Sequence, residues 1–447
     1  MTVRPTTRVA GGGSLRAWAA VGAVSVVNAL SRALGRGSGT VAGGRAGLAL
    51  DPALLTTLAA GRRVFLVSGT NGKTTTTRLL ATALAGPDGG ASVVSNDTGA
   101  NMPAGHVAAL VGAPDAPVAV LEVDEGYLGR LIEEADPEVV VLLNLSRDQL
   151  DRIAEVRMLV DRWRAALSAL SAPSTGATGT VVVANADDPM VAYAAGTAPV
   201  VRWVGAGQVW HDDAVGCPAC GGRIIFGDVN GWGCDRCDFA RPQVDADVVG
   251  HDLVLADGTR HPIRIALPGQ FNRANAGMVA IAALPLLEAT GMGGSEGGPP
   301  TVDLVLDRLR GVTEVAGRFS TITRDGRSVR LLLAKNPAGW TAIFDLLDES
   351  GDDGAPVVLS VNARTADGLD TSWLWDVPFE RLAGRPVVVT GDRRLDLAVR
   401  LRYADVAHDV VDGPQAALDH AIRRASPGPT LEFLANYTAF ADLRRAL

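Results

Sequence analysis

The residues best suited to chemistry are Ser68-Gly69-Thr70-Asn71-Gly72-Lys73-Thr74-Thr75. They lie between an apolar run, Val64–Val67, and a helix-like stretch, Thr74–Leu84. Glycines let a backbone fold back until its N–H groups converge, and the start of a following helix adds positive potential there. In such a loop Lys73 can bridge the β- and γ-phosphates of ATP, and the Thr74 hydroxyl can hold Mg²⁺. Thr70, Asn71, Gly72 and Thr75 complete the candidate nucleotide loop. The spacing reads G-x-x-G-K-T, shorter than the general G-x-x-x-x-G-K-[ST], so the strand–loop–helix context carries the reading.

Two acidic strand ends support it. Val118–Val123 runs through Leu121-Glu122-Val123-Asp124-Glu125, and Val139–Leu143 runs into Asn144-Leu145-Ser146-Arg147-Asp148-Gln149. Ligands of open α/β sheets bind beyond the carboxyl ends of the strands. Glu122 is flanked by apolar residues, where a carboxylate is costly unless it is paired or on a metal. The reading favours Mg²⁺ over a structural salt bridge.

All four cysteines fall within 21 residues, as Cys217-Pro-Ala-Cys220 and Cys234-Asp-Arg-Cys237. Two C-x₂-C knuckles 13 residues apart suit four thiolates around tetrahedral Zn²⁺. Two disulfides fit poorly beside a cytosolic ATP site, and no electron-transfer motif supports an iron–sulfur cluster. The segment holds only two Arg and no Lys, which argues for a structural insertion rather than a nucleic-acid grip.

Something must position these groups. From about Arg63 to Val204, short β-branched runs alternate with helical stretches, the pattern of a parallel sheet covered on both faces. Asn272–Leu287 is helical, Gly291–Pro300 reads as a loop, and a second alternating unit follows Gly317. The predicted fold is α/β. It comprises an N-terminal helical segment (1–44), a central P-loop domain (45–315) with a zinc-ribbon insertion at about 213–242, and a C-terminal Rossmann-like α/β domain (316–447). Length fits about three domains. Hydrophobic residues at 47% and charged residues at 20% exclude a largely disordered chain, and a net charge of −8 argues against a general nucleic-acid binder. Ala17–Leu30 is 14 residues long and contains Asn28, too short for a bilayer span. It reads as an amphipathic helix packed on the body or resting on a membrane surface of a cytoplasmic chain.

Four segments in order resemble the Mur ligase superfamily: Ser68–Thr76, Asn144–Asp151, Asn185-Ala-Asp-Asp-Pro189 and Leu267-Pro-Gly-Gln-Phe-Asn-Arg-Ala-Asn275. The resemblance spans residues 45–447. It narrows to the MurT family, ligase-like subunits that work with a glutaminase subunit, GatD. Three features carry it: the four-Cys ribbon, Asp148-Gln149 where many Mur ligases have Asp-His, and Ala366-Asp-Gly-Leu-Asp-Thr-Ser-Trp-Leu-Trp-Asp376 with Leu434–Ala439. The Gln149 departure puts a second metal in doubt. Ala334-Lys-Asn-Pro337 departs from the D-x-x-H-N-P of amino-acid-adding members.

The resemblance implies ATP-dependent amidation of the D-glutamate α-carboxylate of lipid II through an acyl phosphate, with ammonia supplied by the partner. Lys73, Thr74 and Mg²⁺ on Glu122 would manage the phosphate charge, with Arg318. Asn272 and Asn275 match adenine-side positions, with a helix cap as the rival role for Asn275. Asp392 matches a C-terminal nucleotide contact, and Asn96–Pro103 would line the acceptor side. The ribbon uses every Cys, so none is left as a glutaminase nucleophile. In this family the ligase subunit lends an Asp to the partner's Cys–His pair. Asp370 is favoured over Asp367 and Asp376. Trp373 and Trp375 are candidates for an interface or for the core. The alternatives are a freestanding folylpolyglutamate-type amino-acid ligase and a zinc-ribbon regulatory nucleotidase.

Overall fold

The computed structural model describes residues 14–34, 40–85, 92–96, 99–147, 156–171, 179–227, 231–290, 301–315, 319–349, 351, 354–425 and 430–447. Three helices lead the chain: α1 (Leu15–Ala33), α2 (Thr40–Leu50) and α3 (Leu54–Ala59). Gly43, Gly44 and Gly47 let α2 lie against its neighbours. A Cβ on Gly47 would stand 2.5 Å from Val24 Cγ2, and one on Gly44 1.8 Å from the Ala104 carbonyl oxygen.

The central unit then alternates: β1 (Arg63–Ser68), α4 (Lys73–Ala85), β2 (Val93–Ser95), α5 (Pro103–Gly112), β3 (Val118–Val123), α6 (Leu128–Ala135), β4 (Val139–Leu142), α7 (Val156–Ser168), β5 (Val181–Asn185), α8 (Pro189–Ala195) and β6 (Val201–Gly205). A ribbon hairpin follows, β7 (Ile224–Phe226) with β8 (Trp232–Cys234). Next come β9 (Ala246–Val249), β10 (Asp252–Leu255), β11 (Arg260–Pro262), α9 (Gln270–Thr290) and α10 (Val302–Leu309). The large sheet has the order β11-β10-β9-β6-β5-β4-β1-β3-β2, parallel except where β10 runs against β9 and β11. Every residue of β3 is buried, because helices cover both faces. One apolar core runs from Ala17 and Val24 of α1 through Leu54 to Leu66 and Leu121. A second, on the other face, joins Phe65 and Val141 to α9 and α10. The N-terminal helices therefore pack on the body.

The C-terminal unit comprises β12 (Phe319–Arg324), β13 (Arg327–Leu333), α11 (Pro337–Glu349), β14 (Val357–Ser360), β15 (Val387–Thr390), α12 (Arg394–Tyr403), β16 (His408–Val410), α13 (Pro414–Arg424), β17 (Leu431–Ala435) and α14 (Tyr437–Ala446). Its sheet order is β12-β13-β17-β14-β15-β16, with β12 the antiparallel edge. The α/β architecture matches the sequence expectation. The expectation missed β2, the antiparallel β9–β11 extension and β12; most of these are three- or four-residue strands, too short to show a hydrophobic period. Residues 291–300, read as a loop, lie outside the described residues.

Candidate nucleotide and acceptor site

The sheet order places β1 between β3 and β4, in register Val67↔Glu122 and Ser68↔Leu142. The loop leaving β1 is thus flanked by Glu122 on one side and by the segment after β4 on the other. Gly69 (φ 144°) and Gly72 (φ 87°) occupy backbone regions that side chains disfavour. A Cβ on Gly69 would also stand 3.0 Å from the Asn144 amide nitrogen, so the close approach needs glycine. The Thr70 N–H donates to the Asn144 carbonyl (2.9 Å) and its hydroxyl to the Ser146 carbonyl (3.0 Å). The Asn144 side chain accepts from Asn71 N–H (2.9 Å) and donates to the Asn71 carbonyl (3.0 Å). The loop is therefore pre-shaped, as phosphate binding requires.

Lys73 is buried at the head of α4, its ammonium donating to the Thr70 carbonyl (3.2 Å), the Gly69 carbonyl and Glu125 Oε1 (2.8 Å). Sequence reasoning passed over Glu125, although it stands in the quoted Leu121–Glu125 run. Thr74 Oγ1 is buried and has no hydrogen-bond partner among the described residues. A desolvated, unpaired hydroxyl at the head of a P-loop helix is the observation that fits Mg²⁺ to this site.

Glu122 is buried, and the carbonyl, N–H and carboxylate are each held. Asn96 accepts from its N–H (2.8 Å) and donates to its carbonyl (2.9 Å), and His106 Nε2 lies 2.7 Å from that carbonyl. The carboxylate accepts from Asn101 Nδ2 (3.2 Å) and has no cationic partner among the described residues. Burial drives the His106 pKa down to about 4, so the ring is neutral and its Nε2–H donates to the carbonyl. Beside Asn101 opens a cavity of about 820 Å³ lined in part by Val41, Arg45, Gly99, Tyr127 and Arg130. It lies along the segment expected to line the acceptor side.

On the other side of the loop, an open cleft of about 1520 Å³ gathers most of the expected nucleotide residues: Thr70, Asn71, Gly72, Lys73, Thr74, Thr75, Asn272 and Asn275. Asn275 sits inside α9, more than a turn past its start, not at a cap. The far wall belongs to the C-terminal unit, with Leu332, Leu333, Ala338, Gly339 and Ile343. Asn336 Nδ2 donates to Asn71 Oδ1 (3.2 Å), tying that unit to the phosphate loop. Asn336 lay in the segment noted only as a departure from D-x-x-H-N-P. Asp392 does not line the cleft; it pairs with Arg364 (2.7 Å). Arg318, Asp148 and Gln149 lie outside the described residues.

The four cysteine sulfurs lie within 4.8 Å of one another, with Cys217–Cys237 at 3.8 Å and Cys220–Cys234 at 3.5 Å. Tetrahedral Zn–S bonds of about 2.3 Å would set sulfurs roughly 3.8 Å apart, so the residues fit the ion. Backbone N–H groups of Gly222 and Arg236 point at Cys220 and Cys234 (both 3.3 Å). The ribbon also braces the cleft. Trp232 Nε1 donates to the Ala186 carbonyl (3.0 Å), Arg241 pairs with Asp187, and Asp213 accepts from Trp210 Nε1 (2.7 Å) and the Arg147 N–H (2.9 Å). Asp188, buried, caps α8 through Met190 N–H (2.8 Å) and also accepts from Leu145 N–H (2.8 Å) and Gln208 Nε2 (3.1 Å). Burial raises its pKa to about 6.

The three acids proposed for a partner's triad differ sharply. Asp367 is buried and accepts from Arg364 N–H (3.3 Å), Thr438 N–H (2.8 Å) and the Thr438 hydroxyl. Asp376 lies 3.5 Å from Arg147. Asp370 is exposed and, among the described residues, bonded only to Ser372, whose N–H (2.8 Å) holds the carboxyl below its ordinary pKa. Trp373 is core, packed near Trp340, whereas Trp375 is exposed and touches Tyr403.

Residues 67–210 match the family model of the Mur ligase middle domain, and residues 333–440 match that of the MurT ligase C-terminal domain. The chain is 28% identical to the Staphylococcus aureus (strain COL) "Lipid II isoglutaminyl synthase (glutamine-hydrolyzing) subunit MurT", over 97% of this chain and 98% of that one. It is 29% identical to the Streptococcus pneumoniae subunit of the same name, over 94% of each. Among solved structures, MurF from Acinetobacter baumannii superposes with a TM-score of 0.59 at 17% identity, over 90% of this chain and 79% of that one. Mycobacterium tuberculosis folylpolyglutamate synthase complexed with ADP gives 0.57 at 18% identity, over 88% and 92%. Those two share the fold. With a Mur ligase model matching its centre, a MurT model matching its C-terminal part and MurT subunits similar over nearly its whole length, the chain is similar to the MurT branch of the Mur ligases and is an ATP-dependent ligase.

Proposed function

We propose that the chain amidates the D-glutamate α-carboxylate of lipid II to D-isoglutamine with ATP and ammonia. The observation that carries this is likeness over nearly the whole length to proteins named as lipid II isoglutaminyl synthase subunits. A carboxylate oxygen attacks the γ-phosphorus and ADP leaves. Ammonia then attacks the acyl carbon of the acyl phosphate, and phosphate departs with one of its protons. The loop amides and Lys73 would hold the phosphates, the ammonium exchanging Glu125 and carbonyl partners for phosphate oxygens. Mg²⁺ held by Thr74 and Glu122 would neutralise developing charge. Asn272, Asn275, Arg318 and Asp392 are proposed nucleotide contacts; Asn272 and Asn275 have cleft-lining support. Zinc on Cys217, Cys220, Cys234 and Cys237 would be structural. The separate nine- and six-stranded sheets support the division at 315, whereas the one at 44 falls inside α2 (Thr40–Leu50).

Nitrogen must come from a partner, which we take to be a GatD-type glutaminase. Asp370 suits the partner's triad because it is exposed, with only its neighbour Ser372 bonded to it among the described residues. Around it, Leu369, Trp375, Leu395, Val399 and Tyr403 are exposed, the last three at a spacing of four along α12. Such an aromatic-bearing apolar stripe supports protein docking.

The test is to incubate the protein with lipid II, ATP and ammonium. Amidation gives a product lighter by about one mass unit, the change from OH to NH₂. Addition of an amino acid instead would favour the freestanding ligase, and ATP hydrolysis with no change in lipid II would favour the regulatory nucleotidase.

A further inference from the structure

Charge along the chain is uneven. Residues 1–50 contain six Arg and no Lys, Asp or Glu, a charge of +6, while the whole chain is −8, so residues 51–447 carry −14. That cationic segment holds α1, whose two faces are both apolar. One face, Ala17, Ala20, Val21 and Val24, is buried against the body. The opposite face presents Leu15 (90% exposed), Trp18, Val26 (58%), Leu30 (56%) and Leu34 (66%), and nothing among the described residues covers it. Arg16 and Arg32 are also exposed on this helix, and Val41 and exposed Arg45 follow on α2.

We propose that this face of α1 lies in the surface of an anionic lipid bilayer. An apolar helical stripe bearing a Trp, flanked by arginines and free of acids, inserts at the headgroup boundary while cations meet the anionic lipid. A protein partner or second copy could also cover an apolar stripe. The unrelieved positive charge of this segment, on a chain that is otherwise strongly acidic, favours the membrane. No described helix is long and apolar enough to cross a membrane, so the helix lies on the surface. The placement has a consequence that rests on the amidation reading. Val41 and Arg45 also line the cavity beside Asn101 and Glu122, so a lipid-borne acceptor would enter from the side that meets the bilayer.

The test is flotation of the full chain with vesicles of phosphatidylcholine alone or with about 30% phosphatidylglycerol. The protein floats with the anionic vesicles, less at high salt. Leu30→Glu and Trp18→Ser lower partitioning at least about tenfold while the thermal melt stays unchanged, because both side chains are solvent-facing. Failure of the unmodified chain to float, equal flotation of Leu30→Glu, or a self-association that Leu30→Glu abolishes would each overturn the proposal. Turnover separates this from the amidation reading. Leu30→Glu raises KM for the vesicle-borne acceptor and leaves kcat on a precursor lacking the lipid tail unchanged. If the unmodified protein amidates neither acceptor, amidation fails and the flotation result still decides the membrane surface.

Discussion

Thr74→Val separates the stability of the nucleotide site from its function. Thr74 Oγ1 is buried without a partner among the described residues, and a buried hydroxyl left unsatisfied costs about 1–3 kcal/mol. Valine keeps the shape and the β-branch while removing that penalty, so the nucleotide-free protein gains about 1 kcal/mol. A gain of that size raises a melting temperature by about 2–4 °C for units of this size. The same change deletes a proposed Mg²⁺ ligand. A lost stabilising contact at a phosphoryl-transfer site costs about a hundredfold or more in kcat, or about 2.7 kcal/mol. The assays are thermal unfolding without nucleotide and ammonium-driven turnover with Mg²⁺–ATP. A variant destabilised without nucleotide would mean the hydroxyl was serving the fold. Turnover within threefold of the parent would remove Thr74 from the metal site.

Five further outcomes are expected. His106 is held neutral with a pKa lowered from 6.5 to about 4, so its term is intact at pH 7 and fades as pH falls from 6.5 toward 4. By linkage the parent loses about 2 kcal/mol at pH 5 and about 3 by pH 4 relative to His106→Gln, read by urea unfolding; a pH-independent gap between the two would refute this. Buried Asp188, raised from 3.8 to about 6, pulls the other way, so the difference between variants is the informative quantity. Metal analysis should find about one zinc per chain. Cys234→Ser should weaken ATP binding about tenfold through the Trp232–Ala186 and Arg241–Asp187 braces, and unchanged ATP affinity would detach the ribbon from the cleft. Asn336→Ala, which unties the C-terminal unit from Asn71 and removes the acceptor for the Gly339 N–H (2.9 Å), should raise KM for ATP about tenfold and lower stability by about 1–3 kcal/mol. Asp370→Asn should abolish glutamine-driven turnover in the complex and spare ammonium-driven turnover; equal loss of both would point to a structural role.

Local chemistry made much of this readable. The proposed phosphate loop is contiguous, and its glycines, lysine and threonine stand within a few residues, so the roles proposed for them follow from their order. The two cysteine knuckles likewise carry their geometry in their spacing, and the sulfurs converge as expected. β1, β3 and β4 announce themselves as continuous β-branched runs because both their faces are buried. β2 and β9 to β11, short and only half-buried toward the two edges of the sheet, lack such a run and went unread.

Sequence by itself thus determined the alternating fold, the convergence of the cysteines and the candidate nucleotide loop, because each depends on neighbours in the chain. Tertiary structure alone decided that Lys73 rests on Glu125, 52 residues away, and that Asn336 meets Asn71 across 265 residues. It also sorted three similar aspartates into one buried, one paired and one exposed, and turned Trp373 inward and Trp375 outward. Those distinctions depend on which surfaces meet when the sheets and helices pack, and no spacing along the chain encodes that.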